Sequence, residues 1–437
     1  MSSLLRADTV VPRVTSTPFK ALQHRNFRLL WIGQLVSMAG SMMQNAAILW
    51  HVSLLVEPAN RGLALGMVGL VRVVPIVTFS LVAGVIADAR DRRRLMLFTQ
   101  TGMAMSAALL SWVAFAGVKS VWPIYALAAT GAAFGTFDNP ARQALMPTLV
   151  PAEDLPNAIS LNAIMFQTAA VVGPAAGGVL IGEFGIPWAY ACNAASFLFV
   201  IGAVLAMRGI SGRAEGSNRA LSLAAGIEGL RFVFSTPLIR STMLLDFFAT
   251  FFASATALLP IFAQDILQVG ARGYGLLSSA PSAGAILASL VMVRVVDHID
   301  RRGQVLLWAI GLYGLATVVF GLSHAFLLSF VCLALTGAAD TVSMVIRNLV
   351  RQLTTPDSMR GRMTSVNMIF FLGGPQLGEL EAGLVANVWG PMLSVVSGGV
   401  GCLLITGLIA SRTPQLRRYR ASVHLRPADE VREGGLS

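Results

Sequence analysis

Twelve apolar stretches, each of 18 residues or more, follow one another along this chain with few charges inside them. Such a stretch is long enough to cross a hydrocarbon core of about 30 Å as a helix. In lipid the backbone must satisfy its own hydrogen bonds, so an unclosed chain spans as helices. The stretches cover 29–55, 64–87, 95–117, 121–138, 158–181, 187–207, 241–263, 275–296, 304–322, 325–346, 364–386 and 391–411. Only 12% of residues are charged and 55% are hydrophobic, where a soluble domain carries about 25% charged residues. Three cysteines in 437 residues exclude a disulfide-stapled secreted scaffold. The predicted class is an all-α membrane protein of twelve transmembrane helices.

The basic residues predict how it sits. Cytoplasmic loops are enriched in Lys and Arg. With the N-terminus inside, 28 of the 32 fall in inner segments. Arg61, Lys119 and Arg272 fall outside, and Arg72 lies within the second span. The sequence therefore predicts a multi-pass protein of the plasma (inner) membrane with both termini cytoplasmic. The same bias accounts for the net charge of +11 without any nucleic-acid partner. The first 26 residues are polar, so no cleavable signal peptide is expected. Cys192, Cys332 and Cys402 sit far apart within spans, as small packing residues.

The chain also repeats itself. A shift of 205 places Arg142 on Arg347, Pro151 on Pro356, Asn162 on Asn367, Gly173 on Gly378 and Gly178 on Gly383. It also places Ser37 on Thr242, Ser41 on Asp246 and Asn45 on Thr250. After span 2 the shift is 209, with Asp88 on Asp297, Arg92 on Arg301 and Arg93 on Arg302. The expected organisation is an N-tail (1–28), a six-helix half (29–208), a cytoplasmic linker (209–240), a second half (241–411) and a C-tail (412–437). Parallel-related halves around a midplane site are one transporter architecture. In the linker, Leu223, Ile227, Leu230 and Phe234 recur at helical spacing, with Glu228 and Arg231 off that face. That pattern predicts an amphipathic helix on the inner membrane surface.

The segment from Gly84 to Asp88, with Arg92, Arg93 and Arg94 behind it, resembles the loop 2–3 signature of the major facilitator superfamily. A degraded copy stands at Asp297, Arg301 and Arg302. Gly173, Pro174, Gly177 and Gly178 in span 5 resemble the Gly-Pro motif of that superfamily's exporters. Phe137 to Ala144 and Gly378 to Gly383 are similar to the branch that holds enterobactin exporters and macrolide efflux proteins. The resemblance implies that Asp88 meets the start of span 11 and gates the inner side, together with Gly84, Arg92, Arg93, Asp297, Arg301, Arg142 and Arg347. It implies that the Gly173–Gly178 kink seals one side, and that spans 1, 4, 7 and 10 line the cavity. Packing alone would also explain the kink, because glycine and proline are common in membrane helices. Span 4 carries no charge before Asp138, and span 1 none after Arg28. The superfamily's usual proton-relay residues therefore cannot be transferred.

The residues themselves supply the other candidates. Gln34, Ser37, Ser41, Gln44 and Asn45 recur at a spacing of three to four on span 1, as do Thr242, Asp246, Thr250 and Ser254 on span 7, and Thr336, Asp340 and Ser343 on span 10. Polar groups are costly against lipid, so these stripes face a cavity or bond to other helices. Arg72, Asp246, Glu379 and Glu381 are charges inside spans and the candidates for proton coupling. Glu379 and Glu381 point roughly 200° apart and cannot share one cavity. Asp138 and Asp340 are placed at inner helix ends, paired with Arg142 and Arg347.

Neither lysine belongs to a phosphate-binding loop, and no nucleophile or metal motif occurs. The sequence thus predicts no enzyme, cofactor, metal or ATP motor. It predicts a monomer in the bilayer that exports small amphipathic molecules against protons. An importer or facilitator, and more remotely a membrane sensor or enzyme, are the other readings.

Overall fold

The computed structural model describes residues 19–208, 223–252, 255–356 and 359–420. The first half contains α1 (Arg25–Leu55), α2 (Arg61–Ala89), α3 (Arg92–Phe115), α4 (Trp122–Leu145), α5 (Leu155–Phe184) and α6 (Ile186–Ala206). A linker helix, α7 (Leu223–Ser235), leads to α8 (Pro237–Phe252), α9 (Leu259–Ile261), α10 (Gly270–Val295) and α11 (Arg302–Leu322). The chain ends with α12 (Phe326–Thr354), α13 (Arg360–Trp389), α14 (Pro391–Arg412) and α15 (Pro414–Arg417). Among the described residues, nine segments are long and apolar enough to cross a membrane. The helices α1, α4 and α13 are as long, at 31, 24 and 30 residues, but more polar. With them the bundle has the twelve long segments that the sequence predicts.

The repeat reappears as geometry. Gly185 joins α5 to α6, and Gly390, 205 residues on, joins α13 to α14. Both take a positive φ, 91° and 88°, which an L side chain resists. Two helix pairs cross between the halves: α5 against α10, and α2 against α13. Glycines make each crossing. A Cβ on Gly178 would lie 2.7 Å from the Cα of Gly275, and one on Gly383 would lie 2.7 Å from the Cα of Gly66. Only glycine permits an approach this close.

The two ends of the bundle differ. At the end away from the termini, one apolar cluster joins both halves, running from Ile48 and Leu65 to Phe262, Leu277 and Ala386. At the terminal end, one cluster (Phe27, Met96, Leu145, Leu161, Val204) belongs to the first half and another (Leu245, Leu306, Ile346, Leu416) to the second.

Two sequence expectations are corrected here. Span 7 is not α-helical throughout: beyond α8 its described residues form a 3-10 turn (Ala255–Leu258), α9 and a π turn (Phe262–Ile266). Pro260 lies in this stretch and cannot donate to a helical ladder. Span 10 does not end at 346, because α12 runs on to Thr354. Arg347 and Arg351 lie inside it, 2% and 3% exposed. Their charges are answered within the protein, so they mark an interior rather than a loop. The linker helix α7 packs Val233 on Ile239, Met243, Met363 and Val366, and leaves exposed Leu230 and Phe234, on the face that the sequence assigns to the membrane surface. The side chains of Leu223 and Ile227 lie outside the described residues.

Candidate functional site

Three polar clusters sit on inward helix faces. The first belongs to α1, α3 and α4. Arg142 donates to Gln34 Oε1 at 3.3 Å and to Asn139 Oδ1 at 3.2 Å. Asp138 accepts instead from Thr99 Oγ1 at 2.9 Å and Gln100 Nε2 at 3.0 Å. The expected Asp138–Arg142 ion pair is therefore not formed. Asp138 is held by two neutral donors from α3, while Arg142 turns toward α1.

The second cluster joins α8, α12 and α13. Arg347 is bound to Asp246 at 2.9 Å and to Asp340 at 3.3 Å. Asp340 lies in the middle of α12, not at a helix end, because that helix continues through the arginines. Arg351 donates to Asn348 Oδ1 at 2.7 Å and to Asn367 of α13. Removing one partner of such a buried pair costs about 3–5 kcal/mol, because the other charge is stranded. Beside it lies a cavity of about 140 Å³, lined by Thr256, Pro281, Tyr313, Thr336 and Asp340 among others. Arg142 and Arg347, equivalent under the repeat, thus each hold their own half together. Neither reaches across.

The third cluster lies at the α2–α13 seam. Arg72 donates to Asn45 Oδ1 of α1. Glu379 lies against Gly69, where an added Cβ would stand 2.7 Å from Glu379 Oε2. Arg72 and Glu379 attract each other across the seam. Nearby, Tyr274 donates to the Ala46 carbonyl at 2.9 Å, His51 Nδ1 meets the Tyr190 hydroxyl at 3.3 Å, and Asn193 donates to Gln44 at 2.8 Å. Gln44 therefore faces α6, away from the Asn45 side of α1. Glu381, two residues from Glu379, is half-buried and apart from this cluster.

The remaining candidates are placed as follows. Ser37 is buried and Ser41 half-buried on α1. Thr242, Thr250 and Thr336 donate to their own helix carbonyls. Gly173 and Gly177 pack on Met43 of α1, and Gly178 on Gly275; Pro174 is buried among them in α5. Gly84 lies in the last part of α2, and the side chain of Asp88 lies outside the described residues. Arg92 donates to the Ala144 carbonyl and Arg93 to the Leu205 carbonyl, both at 2.9 Å. These arginines cap the ends of α4 and α6. Asp297 and Arg301 are exposed.

Sequence reading missed several of these residues. Asp91 caps α3, accepting from the amides of Arg93 and Arg94. Its signal, an Asp before a helical run, was legible. Gly66 and Gly275 stand 209 apart, the second repeat offset, and could have been paired on that ground. Nothing in the sequence pointed to His51, Tyr190 or Tyr274. Among the described residues no group of three or more His, Cys, Asp or Glu could hold a metal ion.

Comparison with known proteins agrees with this architecture. A bacterial homolog of the human lysosomal transporter Spinster, in an inward-facing and unoccupied conformation, superposes with a TM-score of 0.70 at 14% identity, covering 91% of this chain and 98% of that one. A bacterial homologue of the iron transporter ferroportin in an inward-facing state gives 0.66 at 16% identity, over 89% and 98%. At these identities the likeness is one of fold. The enterobactin exporter EntS of Escherichia coli O1:K1 is 25% identical over 398 residues, 91% of this chain and 94% of the relative. That of Shigella boydii serotype 18 is 26% identical over the same length. The model of the family described as transmembrane secretion effector matches residues 16–433. Spanning nearly the whole chain, that match makes this protein a member of the transmembrane secretion effector family, a major facilitator transporter and not an enzyme.

Proposed function

We propose that this transporter exports small amphipathic organic molecules by alternating access, driven by a proton gradient. The observation that carries the reading is the asymmetry of the bundle. The halves are joined across two glycine crossings at one end, while at the other each half holds to itself. A bundle hinged so can open to either side of a bilayer in turn. The exporters among its relatives and the Gly-Pro motif in α5 support the direction. The Lys and Arg bias supports a plasma (inner) membrane location with both termini cytoplasmic, which makes the terminal end the inner one. The structure would then be open inward, the state named for both of the similar structures above. No ATP is required, and a single chain contains both halves.

Proton coupling is assigned to Asp246 and Glu379, with Arg72 as the charge that Glu379 faces. A proton on Asp246 would loosen its bond to Arg347 and leave that arginine to Asp340 alone. Closure of the inner end would engage Gly84, Asp88, Arg92 and Arg93 and their second copy at Asp297 and Arg301. The cavity between the halves would be bounded by Gln34, Ser37, Ser41, Asn45, Thr242, Thr250 and Thr336. Uptake of a panel of amphipathic compounds into inverted membrane vesicles tests the whole reading. Acidifying the lumen is expected to raise uptake. Uptake that ignores the gradient would remove the coupling, and uptake only into right-side-out vesicles would reverse the direction.

A further inference from the structure

The starts of α3 and α11 are equivalent under the 209-residue repeat, yet they are finished differently. At α3 the helix end is capped by Asp91, and Arg92 and Arg93 are spent on the carbonyls of Ala144 and Leu205. At α11 the residue in the same place as Asp91 is Asp300, which is exposed and does not cap the helix. Arg301 has no side-chain hydrogen bond or ion pair among the described residues.

The chain after α14 returns to this spot. Gly303 donates its amide to the Tyr419 carbonyl at 3.1 Å, Leu416 is fully buried, and Ser241 bonds Thr413 at 2.9 Å. Residues 413–420 are therefore held firmly against α11. They form a cavity of about 400 Å³ lined by Arg301, Gln304, Arg417, Arg418, Tyr419 and Arg420. Four arginines and no acidic residue line it. Such a concentration of positive charge calls for an anion with several acceptor oxygens.

The face of α11 below the cavity indicates where that anion comes from. Gln304, Trp308, Leu312 and Leu315 follow at a spacing of three to four along one side of the helix. Trp308 is 79% exposed, and Leu312 and Leu315 are exposed with it. An apolar strip thus runs from the arginines along the outside of the bundle, with a tryptophan at its upper edge, as residues anchored at a membrane interface are arranged.

We propose that this cavity holds the phosphate of an anionic phospholipid, whose acyl chains lie along Trp308, Leu312 and Leu315. The lipid supplies the partner that the α3 arginines find within the protein. It ties the C-terminal segment to the membrane-facing side of the second half.

Retention of lipid by the full-length protein in detergent, read by native mass spectrometry, tests this. Phosphatidylglycerol is offered in competition with phosphatidylcholine, and inorganic phosphate is added separately. The wild-type protein is expected to keep phosphatidylglycerol in preference. The R417Q/R418Q double variant is expected to lose about thirtyfold of that preference, at about fivefold per arginine. R301Q alone should lose about fivefold. R90Q/R94Q removes the same charge at the same end of the bundle and should leave retention unchanged. Equal retention by R417Q/R418Q and wild type would overturn the proposal, as would an equal loss in R90Q/R94Q. Full displacement by inorganic phosphate would overturn the lipid as the source of the anion.

Discussion

The two ends of the bundle are built on opposite principles. At the end away from the termini, bonds cross between the halves: Tyr274 to Ala46, Gln264 to Ser53 at 2.6 Å, Arg61 to Asp265 at 3.0 Å, and Arg272 to Glu183. At the terminal end, the described hydrogen bonds and ion pairs stay within one half. Trp31 donates to Leu161, Asp154 binds Lys20 and His24, and Ser241 meets Thr413. One end closes the protein and the other finishes each half as a separate body. A rocking motion needs this arrangement, because internally completed bodies can separate without exposing unsatisfied groups.

The largest expected effect comes from the glycine crossings. Valine at Gly178 and Gly383 together would drive side chains into Gly275 and Gly66. Overpacking costs about 1–3 kcal/mol per site. The G178V/G383V protein is expected to reach the membrane yet lose about a hundredfold in vesicle transport. Transport near the wild-type level would mean that the crossed end need not close.

A smaller effect sharpens the comparison by separating charge from packing at one seam. Glu379→Gln keeps the shape beside Gly69 and removes the charge that faces Arg72. Transport is expected to lose its response to a pH gradient, roughly tenfold, while substrate binding measured by calorimetry stays within about twofold. An unchanged response would leave the seam with a purely structural role.

The smallest effect belongs to the terminal end. Lys20 and His24 donate to Asp154 at 2.8 Å each and hold its carboxyl below the usual aspartate range. Asp154 in turn raises the Lys20 ammonium above its ordinary value. A depressed carboxyl stabilises the fold above the ordinary aspartate pKa, and that share is lost as pH falls through the lower folded value. The raised lysine stabilises below its ordinary pKa and loses that share only under strong alkali. Thermal unfolding of Asp154→Asn should therefore show a midpoint a few degrees or less below wild type at neutral pH. The difference should vanish under strong acid. A large drop, or lost transport, would show that this contact does more than fasten one half.

Much of the fold was legible because its rules are local. Span length follows from the backbone's need for internal hydrogen bonds, and the offset of 205 from residue identities along the chain. The site was less so. Arg347 and Arg351 read as loop charges, since a sequence does not show the carboxylate that answers a cation from another helix. Asp246 lies 101 residues before Arg347 in the chain but 2.9 Å away in space. Span 7 read as one α-helix, since hydropathy does not tell an α turn from a 3-10 or a π turn.

The sequence by itself determined the solvent of this protein, its helical class and its doubling. Each of these depends on composition or spacing along one strand of chain. Only the tertiary structure decided which end is closed, which carboxylate each buried arginine holds, and which of two equivalent arginine clusters is left open. Those outcomes depend on distances between helices far apart in the chain. Equivalent residues in the two halves meet different neighbours, and so come to different ends.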